Sequence, residues 1–335
     1  MRINLLFWIA VLSLLRLNAQ SAYGDQPLAH TFSIVAYDPV TGDMGVAVQS
    51  HWFSVGTLVI WGEAGVGTIA TQSFANPAFG PEGLALLKKG FSAEAVVNEL
   101  IQKDEGKQFR QLGIVDANGN AAAFTGDKCI DAAGHLVGNG FAVQANMMDN
   151  ERVWSAMAQA FENSKTLPLA ERLVLALEAA QRVGGDIRGQ QSAALLVVSA
   201  QNTGQSWVDR KVDLRVDDHP TPIAELKRLL KTHRAYDFMN RGDLAMEKGN
   251  LQEAMQHYAT ANQLFPENEE MKFWYAVNLA NTGKINEAIP MFAALFDKNV
   301  KWATLLKRLP KSDLLKLRDA DLQRILNVNE EASKK

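Results

Sequence analysis

Downstream of Pro222 the sequence repeats itself, and this repeat constrains the fold more tightly than any other feature. Gly249, Glu253 and Ala254 in EKGNLQEAMQHYATANQLFPEN recur as Gly283, Glu287 and Ala288 in NTGKINEAIPMFAALFDKN, a displacement of 34 residues. A period of that length belongs to a supersecondary unit that cannot bury its apolar face alone and does so by stacking on a neighbour. The segment is helical in pattern throughout, so an all-α repeat domain is expected over residues 233–335. Two units are fewer than the roughly three such an array needs. Flanking helices near Ala235 and from Leu314 to Leu326 are therefore expected to cap it.

The residues ahead of this region follow a different period. Phe32, Ile34 and Ala36 alternate with Thr31, Ser33, Val35 and Tyr37, and the turn-rich DPVTGD follows, which reads as the first strand of a hairpin with Asp43 capping its turn. MGVAVQS and GVGTIATQ supply two more strands. A helix opening at Pro81 and one capped by Ser92 come next, the second burying Val96, Val97, Leu100 and Ile101. RQLGIVDANGNAAAFTG reads as another hairpin and GFAVQAN as a strand. Helices through Trp154 to Phe161 and Ala170 to Leu177 precede the closing strands SAALLVVSA and KVDLRVD. This order predicts two stacked sheets with helix pairs outside, over residues 31–232.

Charge and cysteine content narrow the function classes. With 34 Lys and Arg against 37 Asp and Glu, and no long run of one sign, the chain lacks the electrostatic footprint of a nucleic-acid binder. Its single cysteine, Cys129, cannot form an intrachain disulfide, and no Cys/His cluster has zinc-ligand spacing, so neither metal nor cofactor is expected. Arg2 precedes an apolar run from Leu5 to Leu15 that Arg16 closes, shorter than the ~20 residues a membrane span needs. Residues 1–19 are therefore expected to be a signal peptide and 20–30 a leader, which implies an exported, periplasmic or secreted protein with no membrane span after signal removal.

The 34-residue period and its small-residue positions resemble the tetratricopeptide repeat, in which the glycine closes a turn, the alanine permits close helix packing, and a proline such as Pro266 commonly ends the second helix. In the N-terminal part, a strand opening on a hydroxyl residue behind a leader, then a short turn and GDMGVAVQS, resembles the N-terminal-nucleophile hydrolases. The segments HTFSIVAYDPVTGDMGVAVQS, GEAGVGTIATQSFANPAFGPEGL, RQLGIVD, GNGFAVQANMM, GGDIRGQQSAALLVV and VDLRVDDHPTPIAELKRLL are similar to the family known as domain of unknown function 1028, which is grouped with those hydrolases. The resemblance implies a four-layer αββα sandwich followed by the helical repeats.

It also implies a nucleophile at Thr31, with the threonine's own α-amine as base. An α-amine has a pKa near 8, suited to accept a hydroxyl proton at neutral pH. That amine exists only if the His30–Thr31 bond is cut, so a mature chain beginning at Thr31 is expected, made by self-cleavage or by a second protease. Ser50 and His51 end the second strand, where the superfamily places a polar group supporting the nucleophile; a half-exposed strand-end histidine is the alternative. Gln144 and Asn146 share a strand face and suit oxyanion or amide recognition, Asn146 as the candidate oxyanion donor, or else satisfy buried backbone groups.

Gln72, Ser73 and Asn76 are expected in a loop that could line a substrate pocket, although Asn76 and Pro77 also suit a plain turn. In GGDIRGQQSA, Asp186 reads as half of an internal ion pair, while Arg188 stays open as an anion or substrate contact. Asp217, Asp218 and His219 read as a strand end and helix cap rather than a metal site. The sequence thus points to an amidohydrolase acting on a small amide or peptide, with the repeats engaging a protein or peptide. The rival reading is a non-catalytic ligand-binding sandwich whose repeats recruit a partner.

Overall fold

The computed structural model describes residues 28–328. The expected signal peptide and most of the leader lie outside the described residues. The chain divides into two compact units, Met1–Lys227 and Arg228–Lys335, and the division falls within one long helix.

The first unit runs β1 (Leu28–Ala29), β2 (Thr31–Tyr37), β3 (Met44–Ser50), β4 (Ile60–Glu63), β5 (Gly67–Phe74), α1 (Phe79–Lys88), α2 (Ala93–Lys103), β6 (Arg110–Asp116), β7 (Ala121–Thr125), β8 (Gly134–Gly138) and β9 (Phe141–Ala145). Then come α3 (Val153–Asn163), α4 (Leu169–Arg182), β10 (Ser192–Val198), the single turn α5 (Ser206–Asp209) and β11 (Arg210–Val216). One sheet has the order β1-β5-β6-β7, with β4 also on β5; the other has the order β11-β10-β3-β2-β9-β8. Neighbouring strands are antiparallel in both.

Alternation along the strands assigns their two faces. Val35, Val46, Val48, Ala142, Ala194 and Leu196 of the second sheet pack with Ala70 and Val115 of the first in one apolar core. On the opposite face of the first sheet, Ile69, Leu112 and Ile114 meet Leu84 and Leu87 of α1 and Val96, Val97 and Leu100 of α2. The second sheet's other face carries α3 and α4: Phe161 lies 5.0 Å from Phe141, ring centre to ring centre, and Leu169 and Leu173 lie over Gly45. Each such side chain, buried, contributes about 1.5–3 kcal/mol.

The expected helices and hairpins are present, with three added strands. β1 has two residues, β4 four, and β8 is a half-exposed edge strand between glycines, so none has an alternation long enough to read. Helix α1 starts at Phe79, before Pro81; the proline still lies in the first turn, where its missing N–H costs nothing. Ser92 caps α2, its Oγ accepting the Ala95 N–H. Asp43 does not cap the hairpin turn. Asp38 does, accepting the Val40 N–H and the Thr41 hydroxyl, and Asp43 is ion-paired with Lys211 at 2.7 Å.

The second unit is helical: the rest of α6 (Pro222–Glu247), α7 (Leu251–Leu264), α8 (Glu269–Asn281), α9 (Ile285–Lys298), α10 (Lys301–Arg308) and α11 (Asp319–Leu326). The sequence repeat is also a repeat of helix termination. Gly249 and Gly283 have φ of 75° and 81°, and the residue after each donates its N–H five residues back, Asn250 to Ala245 O and Lys284 to Leu279 O. This is a left-handed C-terminal cap, which favours glycine. The matched alanines, Ala254 and Ala288, are both fully buried.

Candidate functional site

Where β2 begins, the space between the two sheets is polar. Ser50 on β3 lies opposite Thr31, and Gln144 on β9 lies opposite Ser33. From the other sheet come Gln72 of β5 and Gln111 of β6, paired with each other in register. Asn146 directly follows β9, and all of these side chains are fully buried.

Buried polar groups are stable only when paired, and most of these pair with one another. Gln72 Nε2 donates to Gln111 Oε1 at 2.6 Å and to the Thr31 carbonyl at 3.1 Å, while its Oε1 accepts from Ser33 Oγ at 2.5 Å. Gln144 Nε2 donates to Ser33 Oγ at 2.6 Å. Asn146 Nδ2 donates to Gln111 Oε1 at 2.8 Å, which turns its Oδ1 toward Nδ1 of His30, also at 2.8 Å. Burial pushes the His30 pKa below its ordinary value, and the Asn146 bond offsets this in part. With Asn146 Oδ1 as acceptor, the His30 proton sits on Nδ1.

The peptide bond between His30 and Thr31 is held from both sides. The His30 carbonyl accepts from Ser50 Oγ at 2.5 Å and from Arg188 Nη2 at 2.9 Å. Asp186, whose side chain is fully buried, fixes that guanidinium through Nε at 3.0 Å and Nη2 at 2.7 Å, and also accepts the His51 and Arg188 backbone N–H groups. Thr31 Oγ1 donates to the Ala29 carbonyl at 2.8 Å, and the Thr31 carbonyl accepts the Asn146 N–H. A carbonyl gripped by a hydroxyl and a charged guanidinium, directly before a threonine, has the donor set that stabilises a tetrahedral oxyanion.

The sequence-derived residues fall into two groups. Thr31, Ser50, Gln72, Gln144, Asn146 and Arg188 converge in this cluster. Asn146 is directed at His30 and Thr31 O, not at the His30 carbonyl, so the two donors on that carbonyl are Ser50 and Arg188. Gln72 and Ser73 lie within β5 rather than in a loop. Ser73, with φ of 74°, pairs in register with Ala29, and its hydroxyl lies beside Cys129, whose thiol is pushed up mainly by burial.

His51 and Asn76 stand apart. The His51 side chain is exposed, and only its backbone N–H reaches Asp186. Asn76 forms the turn before α1, its Oδ1 accepting the Ala78 N–H and its Nδ2 donating to Asp104. Sequence reasoning missed His30, Ser33 and Gln111. The alternation already put Ser33 on the Thr31 face, and Gln111 falls on the Val115 face of its strand by the same count. His30 was read only as the residue before a cut. The ion pair expected of Asp186 forms, with Arg188. His219 Nδ1 accepts the Thr221 N–H ahead of α6, and among the described residues no group of three or more His, Cys, Asp or Glu could hold a metal ion.

Comparison with known proteins adds family and fold. A family model described as "Family of unknown function (DUF1028)" matches residues 31–226, and a tetratricopeptide repeat model matches residues 245–309. A crystal structure of a DUF1028 protein from Silicibacter pomeroyi is 36% identical, with a TM-score of 0.55, covering 61% of this chain and 88% of that one. Anbu, an ancestral beta-subunit from Yersinia bercovieri, aligns at 13% identity with a TM-score of 0.30, covering 59% of this chain and 92% of that one, too remote to bear on the argument. No curated protein matches. No described helix is long and apolar enough to cross a membrane.

Proposed function

The chain belongs to the DUF1028 family, whose function is unknown, and from that premise we propose that its first unit is an amidohydrolase of the N-terminal-nucleophile type with Thr31 as nucleophile. The observation that carries this reading is the grip of Ser50 Oγ and Arg188 Nη2 on the carbonyl of the bond that must be cut to free the Thr31 amine. The two sheets with helices on their outer faces support a four-layer αββα sandwich of that class.

The chemistry runs in two stages. In the uncut chain the Thr31 hydroxyl attacks the His30 carbonyl carbon, Ser50 and Arg188 hold the oxyanion, the C–N bond breaks, and the proton goes to the departing Thr31 nitrogen. Water then hydrolyses the resulting ester, which frees the His30 carboxylate and restores the Thr31 hydroxyl. In the second stage the free amine takes the hydroxyl proton as Thr31 attacks an external amide, and the same donors serve the second oxyanion. The substrate C–N bond breaks with that proton passing to the departing amine, and water hydrolyses the acyl ester to release the acid and restore Thr31. Gln72 and Asn146, both bonded to Gln111 Oε1, hold the Thr31 carbonyl in place. The chain is exported to the periplasm or beyond in this reading, and the repeat unit engages a protein or peptide partner on its helical surface.

Intact mass and N-terminal sequencing of the natively exported protein test the proposal. A chain starting at Thr31, with hydrolysis of an amide panel abolished in Thr31→Ala, is the expected result. A chain that keeps His30 and yet hydrolyses amides rules out amine-assisted attack by Thr31. A chain that keeps His30 and is inert favours the ligand-binding sandwich.

A further inference from the structure

Resting on that reading, we infer that the residues just ahead of Thr31 occupy the acyl-side substrate cleft, and that the substrate is an extended peptide with a side-chain hydrogen-bond donor before the cleaved bond and a small residue before that. Leu28 and Ala29 pair antiparallel with Phe74 and Ser73 along an edge of β5. The rest of that edge is already covered, since β4 pairs with β5 from Gly67 to Ala70 and Thr71 N–H donates to Val59 O. Leu28 and Ala29 therefore fill the gap beyond β4, and a second extended strand that takes their place can run along the same stretch of β5.

The side chains of the leader define what that strand must carry. Ala29 is fully buried among the apolar residues between the sheets, including Val59 and Ala75, so its place admits a small side chain. His30, with only 2% of its surface exposed, meets Phe74 edge to face at 5.5 Å and donates to Asn146 Oδ1. The polarity of that subsite is fixed from behind. Asn146 Nδ2 is committed to Gln111 Oε1, so the group left facing the cleft is an acceptor. A planar donor such as imidazole satisfies it, whereas a carboxylate would set anionic oxygens against a buried carbonyl. The carbonyl after this residue then falls between Ser50 Oγ and Arg188 Nη2, as the His30 carbonyl does.

The test measures binding separately from turnover. Full-length protein is purified after processing at Thr31, or, if the bond stays intact, cut there through a protease site placed directly ahead of Thr31. Binding of acetyl-Leu-Ala-His-amide is then measured by calorimetry, alongside peptides carrying Asp in place of His or Trp in place of Ala. Saturable binding of the histidine peptide is expected, weaker by about tenfold or more for the Asp peptide and lost for the Trp peptide. Equal affinity for all three, or none for the first, overturns the inference. Turnover of small amides without peptide binding overturns it while sparing the amidohydrolase reading. Peptide binding with the expected preferences but no turnover of any amide upholds the cleft and removes the enzyme.

Discussion

Ser50→Ala separates the proposed oxyanion chemistry from the stability of the fold. Its hydroxyl donates to one group, the His30 carbonyl, and that carbonyl keeps its second donor, Arg188 Nη2, when the hydroxyl is gone. No buried acceptor is orphaned, so the stability cost is that of one hydrogen bond, about 0.5–1.5 kcal/mol. The main-chain pairing of Ser50 with Thr31 and Ser192 is unaffected. On the reaction barrier the same deletion removes one of two oxyanion donors, which costs about 2.7–4 kcal/mol, or roughly 10²–10³ in rate. The assay is a time course of intact mass on freshly synthesised chain, following the cut between His30 and Thr31, with thermal unfolding of each variant alongside. Cleavage of Ser50→Ala at the wild-type rate, or slowing no larger than its loss of stability accounts for, refutes the assignment. Thr31→Ser, which retains a hydroxyl, should still be cut, and Thr31→Ala should not.

Two further outcomes are expected. Because burial lowers the His30 pKa, the unfolded uncut chain takes up a proton at a higher pH than the folded one, so this histidine is without penalty above its ordinary pKa of about 6.5 and destabilises the fold progressively as pH falls through that value toward the folded pKa. In the uncut Thr31→Ala background, adding His30→Gln should reduce the stability lost on acidification between pH 7.5 and 5, read by chemical denaturation; His135, whose pKa burial also lowers, is present in both chains and cancels. Gly249→Ala and Gly283→Ala place a Cβ in a left-handed backbone with open space around it, so each should destabilise the helical unit by about 1–2 kcal/mol through conformation alone, read as a fall in its thermal midpoint by circular dichroism.

What the sequence disclosed depended on whether a residue's environment is local. Helix ends were legible because a cap is made within a few residues: Ser92 reaches Ala95, and the helices before Gly249 and Gly283 end by the same bond to a carbonyl five residues back. Strand faces were legible because alternation is obligatory, and Thr31 and Ser33 do share the inner face. The partners of that face were not, since Gln72 and Gln111 come from the opposite sheet and no period relates them to Thr31. The role of Arg188 was half legible. Its ion pair with Asp186 is two residues long, but its bond to the His30 carbonyl spans 158 residues of chain and exists only after the second sheet has formed.

The placement of the polar cluster is itself an argument for function. The space between the sheets is filled in one part by Val35, Val46, Val48, Ala194 and Leu196, and in the other by Ser33, Gln72, Gln111, Gln144 and Asn146. Apolar side chains would fill that second part with no polar groups to satisfy, and replacing buried polar groups by well-packed apolar ones is often neutral or stabilising. Here the pairing is incomplete: Gln144 Oε1 is buried without a hydrogen-bond partner, a cost an apolar residue would not incur. Stability alone therefore does not account for five such residues around the start of β2. Two of them, Gln72 and Asn146, bond the Thr31 carbonyl and the His30 ring, the two sides of one peptide bond, and Gln111 and Ser33 hold those two in place. A local departure from apolar packing that holds a single bond rigidly, with a hydroxyl and a guanidinium on its carbonyl, is accounted for when that bond or its successor in the cleft is the one that reacts.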